Sequence, residues 1–224
     1  MDFIFMLTRN DRTVEDCLEV FEEIAPLGLK HVGFKDVGAP PETLKTLVQA
    51  IHESGATSYM EVVSETPEAC IRSARIGAEL GVQRLLGGTQ VDEVMSMLNG
   101  TGTKYYPFPG KPLGHPTKLG GAPADVEAHC RAFAARGCAG ADLLAYRATE
   151  ADPVELIAAA RRGIGGGHLI VAGSVASVER IRDVAAAGAD AFTIGSAVFD
   201  GSYARNSGSI RSQLRRVLAD CATI

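Results

Sequence analysis

The chain has 224 residues, of which 46% are hydrophobic and 22% charged, and its formal net charge is −5. This composition is typical of a globular protein with an ample core, and the length favours one domain spanning residues 1–224. The negative charge, without a basic cluster, argues against a nucleic-acid partner. No apolar run approaches the roughly 18 residues that cross a bilayer, so no membrane partner is expected.

Two further features favour the cytoplasm as the location of this protein. The five cysteines are odd in number and scattered, as expected for free buried thiols in a reducing environment. Segment 1–11 lacks the basic start and the longer apolar run of a signal peptide, so it is interpreted as a strand. We therefore expect a cytoplasmic protein, and leave open whether it forms homo-oligomers.

Short apolar runs alternate with helical segments eight times, which is typical of βα repeats around a parallel sheet. Strands are predicted at about residues 2–7, 30–35, 57–63, 82–87, 103–108, 141–146, 168–172 and 190–194. Helices are predicted at about residues 13–26, 41–54, 66–80, 90–98, 122–136, 152–162, 176–187 and 206–221, and Thr13 marks the start of the first. This order predicts an α/β protein formed by a single (βα)8 TIM barrel. A doubly wound open sheet is the alternative, but no G-x-G-x-x-G follows the first strand.

The last two predicted strands each end in a Gly-Ser pair, Gly173-Ser174 and Gly195-Ser196. A glycine there lets the backbone come close to an anion, and the following N–H groups and the serine hydroxyl can donate hydrogen bonds to it. Two such turns on neighbouring parallel strands predict one phosphate site. The alternative is that the glycines serve only tight strand-to-helix turns.

The stretch Leu169–Phe199, LIVAGSVASVERIRDVAAAGADAFTIGSAVF, resembles the last two strands of ribulose-phosphate-binding (βα)8 barrels. These include sugar-phosphate isomerases of histidine and tryptophan biosynthesis, indole-glycerol-phosphate synthase and N-acylmannosamine-6-phosphate epimerases. The resemblance implies a phosphorylated substrate, and is specific over these residues only. The Asp-x-Lys-x-x-Asp motif of the orotidine-phosphate-decarboxylase group is absent, as is the His-x-Asp metal pattern of ribulose-phosphate 3-epimerases. We therefore expect no metal and no redox cofactor.

Two charged residues are expected to face the mouth of the barrel. Side chains alternate along a strand, and the helix-facing side of a barrel strand is normally apolar. Val32 and Phe34 suit that outer side, which turns Lys35 inward, and the same alternation turns Glu61 inward on the next strand. A buried ammonium and carboxylate form a plausible acid/base pair. The alternatives are a salt bridge that only fills space, or a Schiff-base role for Lys35 as in an aldolase.

Other polar residues are predicted near the same end of the barrel. Arg9, Tyr146 and Arg147 lie at strand ends and are candidate substrate-binding residues, and the alternative for the two arginines is a charge on the rim. Residues 109–121 form a long loop, either a lid or a surface loop fixed by its prolines, and carry His115 as a third catalytic candidate. The histidine-pathway isomerases use an aspartate after strand one. Asp11 lies late for that position, and is interpreted as that group or as a turn or cap residue.

These residues lead to one preferred hypothesis for the function. We expect an isomerase or epimerase that moves a proton next to the carbonyl of a small phosphorylated sugar-like substrate. A lysine-dependent aldolase or lyase is the nearest alternative, since Lys35 could serve either reaction. A barrel that binds a phosphorylated ligand without catalysis is the alternative from another class.

Overall fold

The structure is a computed structural model that describes residues 1–224. Eight parallel strands form one sheet in the order β6-β7-β8-β1-β2-β3-β4-β5. The strands are β1 (Asp2–Met6), β2 (His31–Lys35), β3 (Thr57–Val62), β4 (Arg84–Gly87), β5 (Lys104–Tyr106), β6 (Gly140–Leu143), β7 (His168–Val171) and β8 (Ala191–Ile194). Backbone N–H groups of Ala139 and Asp142 donate to the carbonyls of Tyr105 and Pro107, at 3.0 and 3.1 Å, and join β6 to β5. The predicted (βα)8 barrel is therefore confirmed.

Helices follow the strands and cover the outside of the barrel. They are α1 (Cys17–Ile24), α2 (Pro41–Glu53), α3 (Pro67–Glu79), α4 (Val91–Leu98), α5 (Pro123–Ala135), α6 (Pro153–Ile164), α7 (Val178–Ala186) and α8 (Ile210–Cys221), with a short helix Ser196–Phe199 before α8. Prolines occupy the first turn of four of them, where no intrahelical N–H is needed. None of these helices combines the length and the hydrophobicity that a membrane span requires.

The alternation of side chains along the strands divides the core into two layers. Val32 and Phe34 pack between the barrel and its helices, as predicted, in a large apolar cluster. A smaller cluster fills the inside of the barrel, and its members come from β1, β3, β4, β5, β7 and β8: Ile4, Met6, Tyr59, Leu86, Tyr106, Ile170 and Ala191. The lumen is thus packed with side chains, as in other closed barrels of this size, and only its ends are open to chemistry.

Two short hairpins follow the C-terminal ends of strands and correct the sequence prediction. Thr8–Arg9 pairs with Arg12–Thr13 after β1, and Lys111–Leu113 pairs with Lys118–Gly120 after β5. The first helix therefore begins at Cys17 and not at residue 13. The long loop 109–121 is largely a hairpin, because its two arms exchange backbone hydrogen bonds.

The predicted sixth strand, 141–146, was also too long. It ends at Leu143, and Ala145–Arg147 form one turn of 3-10 helix. This turn brings Arg147 back over the C-terminal end of the barrel, where it meets residues from three other loops.

Candidate active site

Lys35 and Glu61 meet at the C-terminal end of the barrel. They are register partners on neighbouring strands, and the Lys35 Nζ atom lies 2.8 Å from Glu61 Oε2. Their side chains are only 5% and 3% exposed. The approach expected from strand alternation is therefore observed, and it forms an ion pair almost out of contact with solvent.

Asp11 lies at the centre of the same cluster, a placement that the sequence did not settle. Asn10 and Asp11 form the two-residue turn of the first hairpin, and both have positive φ, 51° and 63°, as type I′ turns require. Asp11 Oδ1 accepts hydrogen bonds from Lys35 Nζ at 2.5 Å and from Arg147 Nη1 at 2.8 Å. Asp11 is thus a turn residue whose side chain also holds the cluster together, and it does not cap α1.

The second hairpin is fastened to this cluster through Thr117. Its backbone N–H donates to Asp11 Oδ2 at 3.0 Å, and its carbonyl accepts from Arg147 Nη1 at 3.2 Å. His115, on the same hairpin, lies with its Nδ1 3.9 Å from Asp11 Oδ2. The predicted loop residue therefore stands beside the cluster, near the Asp11 oxygen that does not accept from Lys35.

The opposite charges in this cluster keep Asp11 and Lys35 in their ionised forms. Burial alone would raise the pKa of Asp11, but the charges of Lys35 and Arg147 and their hydrogen bonds hold it well below its ordinary value. Burial alone would lower the pKa of Lys35, but Glu61 and Asp11 outweigh it, and the pKa is raised. Lys35 is accordingly an ammonium group and Asp11 a carboxylate across the physiological pH range.

The turn after β7 presents unpaired backbone donors. Gly173 and Ser174 both have positive φ, 76° and 59°, a conformation that is uncommon for serine and often marks a functional turn. None of the backbone N–H groups from Gly173 to Ser177 donates a hydrogen bond within the protein. Successive free N–H groups of this kind form an anion-binding concavity.

The turn after β8 has a different structural basis. Gly195 packs against the first hairpin, since a Cβ atom there would lie 2.5 Å from Thr8 Oγ1. Ser196 begins the short helix, and its hydroxyl oxygen accepts from the backbone N–H of Asn10 at 3.2 Å. That hydroxyl keeps its own proton available for a ligand. The absence of a side chain at Gly195 is thus required by packing against the first hairpin, while Ser196 retains a free donor.

One cavity of about 350 Å³ connects both turns to the charged cluster. This volume falls at the lower end of the range for small-molecule sites. Its lining includes residues of the cluster and of both turns: Asp11, Lys35, Glu61, Arg147, Gly173, Ser174, Gly195 and Ser196. Arg147 joins the two parts, because its side chain bonds Asp11 and also packs directly on Gly173.

Two of the predicted substrate-binding residues lie outside this cavity. The side chain of Arg9 is 56% exposed and bonds Asp200 at 2.9 Å. The ring of Tyr146 lies under the guanidinium of Arg180, 4.7 Å from the ring centroid. Arg180 does line the cavity, and it also donates to the Ser174 carbonyl. The sequence prediction therefore missed Arg180, because an arginine two residues into a helix carries no signal that distinguishes it from a surface charge.

Comparisons with known proteins find likeness in structure but not in sequence. No protein-family model matches the chain, and no curated protein matches it. Among solved structures, orotidine 5′-phosphate decarboxylase from Pyrococcus horikoshii OT3 aligns with a TM-score of 0.66 at 12% identity, covering 97% of this chain and 98% of that one. A structure described as native KDPGal aligns with a TM-score of 0.69 at 13% identity, covering 99% and 97%.

A third likeness is to a putative deoxyribose-phosphate aldolase from Coccidioides immitis. It aligns with a TM-score of 0.67 at 11% identity, over 88% of this chain and 81% of that one. Identities this low carry no information on activity. They show, in agreement with the closed sheet, that the chain has the (βα)8-barrel fold that its resemblance to ribulose-phosphate-binding barrels implied.

Proposed function

We propose that this protein is an isomerase or epimerase that acts on a small phosphorylated sugar-like substrate by proton transfer next to a carbonyl. The observation that carries the proposal is a cavity of about 350 Å³ that reaches both parts of the site. It joins a set of free backbone donors suited to a phosphate to a buried pair of proton-transfer groups.

The phosphate would bind at the turns after β7 and β8. The residues from Gly173 to Ala176 line the cavity, and their free N–H groups would bind the anion, with the hydroxyl of Ser196 as a further donor. Arg180 adds a positive charge at the cavity wall. Because the protein carries a net charge of −5, these local donors would hold the phosphate, rather than a positive field over the whole surface.

The chemistry would then take place at Lys35 and Glu61. The Glu61 carboxylate would remove a proton from the carbon next to the carbonyl, and the electron pair would move onto the carbonyl oxygen. The Lys35 ammonium, 2.8 Å from Glu61, would stabilise that oxygen or protonate it. Return of the proton to the former carbonyl carbon, with the proton of the adjacent hydroxyl group passing back to Lys35, gives an isomer. Delivery of a proton to the opposite face of the first carbon, with Lys35 taking back the proton it gave to the carbonyl oxygen, gives an epimer.

The same ion pairs argue against a Schiff base at Lys35. An amine attacks a carbonyl only in its neutral form. Here two carboxylates lie 2.5 and 2.8 Å from the Nζ atom, and the pKa of Lys35 is raised, because these charges outweigh the opposing effect of burial. Acid/base catalysis is therefore the better use of this lysine.

Solvent exchange tests the proposal directly. The protein is incubated in D2O with a panel of three- to six-carbon ketose and aldose phosphates, and deuterium next to the carbonyl is followed by NMR. We expect exchange and a new isomer with at least one substrate, both lost in Glu61→Gln. The variant Glu53→Gln, at the exposed end of α2, is the matched control and should behave as the wild type.

Two results would contradict the proposal. Reduction with borohydride in the presence of substrate should leave no adduct on Lys35. An adduct there would show that Lys35 forms a Schiff base, and would favour the aldolase or lyase hypothesis instead. Binding of phosphorylated ligands without exchange or turnover of any of them would favour a non-catalytic binding barrel.

A further inference from the structure

One carboxyl group inside the barrel has no partner. Asp142 lies in β6 and is fully buried, and neither of its carboxyl oxygens takes part in a hydrogen bond. Its neighbours Ala141 and Leu143 pack in the outer core, so Asp142 faces the lumen, where its register partner on β7 is the apolar Ile170. An ionised carboxylate in such a place is strongly disfavoured unless a cation or donor compensates it.

The charges at this end of the barrel do not balance if every carboxyl group is ionised. The charged groups around Asp142 are Glu61 on β3, Lys35 on β2 and Arg147 after β6, and Asp11 completes the cluster. Two cations thus face three carboxyl groups. Both cations already give hydrogen bonds to Asp11 or Glu61, which leaves Asp142 as the carboxyl group without a donor.

Glu61, in turn, lacks a hydrogen-bond donor for one of its carboxylate oxygens. Its Oε2 accepts from Lys35, but its Oε1 is buried and lacks any donor. A protonated carboxyl group is itself a hydrogen-bond donor. Burial, and after it the charge of Glu61, raises the pKa of Asp142 well above its ordinary value. One proton on Asp142 would therefore remove an unpaired buried charge and supply the donor that Glu61 needs.

We propose that Asp142 is a positioning residue that remains a neutral carboxylic acid and shares its proton with Glu61, directly or through one water. The pair then carries one negative charge and one proton in the resting protein. Its hydrogen bond orients the Glu61 carboxylate toward the cavity. When Glu61 takes a proton from the substrate, the pair holds two protons and no charge, and the resting state returns when that proton goes back to carbon.

This inference rests on the proposed function only for the role of Glu61, and its first test needs no substrate. The infrared spectrum of the wild type at pH 7 should contain the carbonyl band of a buried protonated carboxyl group. That band should be absent from Asp142→Asn and retained in Asp16→Asn, a control at an exposed aspartate. A wild-type spectrum without the band overturns the proposal, and this holds even if Asp142→Asn fails to fold.

The second test measures how the unfolding constant depends on pH, which gives the number of protons released on unfolding. In the unfolded chain an aspartate ionises near pH 4, so above that pH unfolding of the wild type would release the proton held by Asp142. The ratio of the wild-type to the Asp142→Asn unfolding constant should therefore rise by up to about tenfold per pH unit between pH 5 and 8. A ratio that is flat or falls with pH shows that Asp142 is ionised in the fold, and overturns the proposal.

The third test asks whether Asp142 acts by donating a hydrogen bond to Glu61. It compares the activities of two Asp142 variants on any sugar phosphate that the wild type turns over. Asp142→Asn keeps a donor toward Glu61, whereas Asp142→Leu keeps volume and removes it. We expect kcat at pH 7 to be at least about tenfold lower in the leucine variant than in the asparagine variant, the size of effect expected for one buried hydrogen bond. We also expect the acid limb of the kcat/KM profile of the leucine variant to move to higher pH.

An equal loss of kcat in both variants, with no shift of the pH profile, indicates a purely structural role of Asp142. If no substrate is turned over, the proposed function fails while the first two tests still decide the protonation of Asp142.

Discussion

The two ends of the barrel use polar residues in opposite ways. At the C-terminal end, the side chains of Lys35, Asp11 and Glu61 are charged and 5% exposed or less. At the N-terminal end, the guanidinium of Arg84 lies between two rings, 5.9 Å from the centroid of Tyr59 and 5.6 Å from that of Tyr106. The first end concentrates charge around a cavity, whereas the second fills the lumen with aromatic rings around one guanidinium.

Histidines make the contrast clearer. His31 and His168 begin β2 and β7, and burial lowers the pKa of each more than nearby Asp2 or Asp190 raises it. Both imidazoles are therefore neutral near pH 7, and His31 Nδ1 lies 3.0 Å from the hydroxyl of Tyr59. The N-terminal end of the lumen thus holds neutral imidazoles and one half-buried guanidinium, whereas the almost fully buried charges lie where the cavity opens.

The largest expected effect comes from removing the central cation. Lys35→Met should lower kcat/KM by about 10² to 10⁴, the usual contribution of a proton-transfer group. It should also lower the free energy of unfolding by about 3–5 kcal/mol, since two buried carboxylates lose their shared partner. Steady-state kinetics and urea denaturation measure both, with Lys30→Met, at an exposed lysine before the same strand, as the control. Turnover within tenfold of the wild type would remove Lys35 from the mechanism.

The phosphate turn can be tested with two glycines of the same backbone conformation. Gly173 and Gly81 both have φ of 76°, but a Cβ atom at Gly173 would meet Arg147 Nε at 2.4 Å, while one at Gly81 meets nothing within 4 Å. Changing Gly81 to alanine should cost about 1 kcal/mol of stability, and changing Gly173 should cost more, because the side chain of Arg147 must also move. Only Gly173→Ala should weaken binding of inorganic phosphate, by about tenfold or more, as titration calorimetry would measure. Equal phosphate affinity in both variants would exclude this turn from the site.

At the opposite end, Arg84→Met should affect stability and spare catalysis. Loss of the stacking with Tyr59 and Tyr106, and of the hydrogen bond to the Tyr106 hydroxyl, should lower the free energy of unfolding by about 1–2 kcal/mol. The value of kcat/KM per folded molecule should stay unchanged. A fall in kcat/KM comparable to that of Lys35→Met would show that the two ends are coupled, and the contrast between them would fail.

The smallest effects should appear on acidification, in separate pH windows for the two ends. Because the pKa of His31 is lowered in the folded protein, the unfolded chain binds more protons, and stability should fall as the pH drops below about 6.5. The pKa of Asp11 is also lowered, chiefly by Lys35 and Arg147 against burial, so its stabilising contribution should decline only below about pH 4. His31→Gln should reduce the first decline, and Asp11→Asn the second, in urea denaturation at a series of pH values. The reverse assignment would contradict both pKa directions.

Some of the site follows from the sequence because strand alternation is a local pattern. The inward direction of Lys35 and Glu61 was predicted from the apolar residues beside them, and the structure places the pair 2.8 Å apart. The Asn10-Asp11 turn also had a local signal, since Asn-Asp between short extended segments is typical of a tight hairpin. A hairpin predicted at this turn would have placed the start of the first helix after residue 13, closer to its observed start at Cys17.

The order of strands and helices, the two-layered core and the Gly-Ser turns could be predicted from local patterns, because each depends on periodicity or on residues adjacent in the chain. The contact of Asp11 with Thr117, 106 positions away, and the position of Arg147 between the charged cluster and Gly173 became known from the folded structure. The same holds for the lack of a partner at Asp142. Such contacts depend on closure of the barrel, which brings the ends of all eight strands to one mouth, and no local pattern specifies which loop side chains meet there.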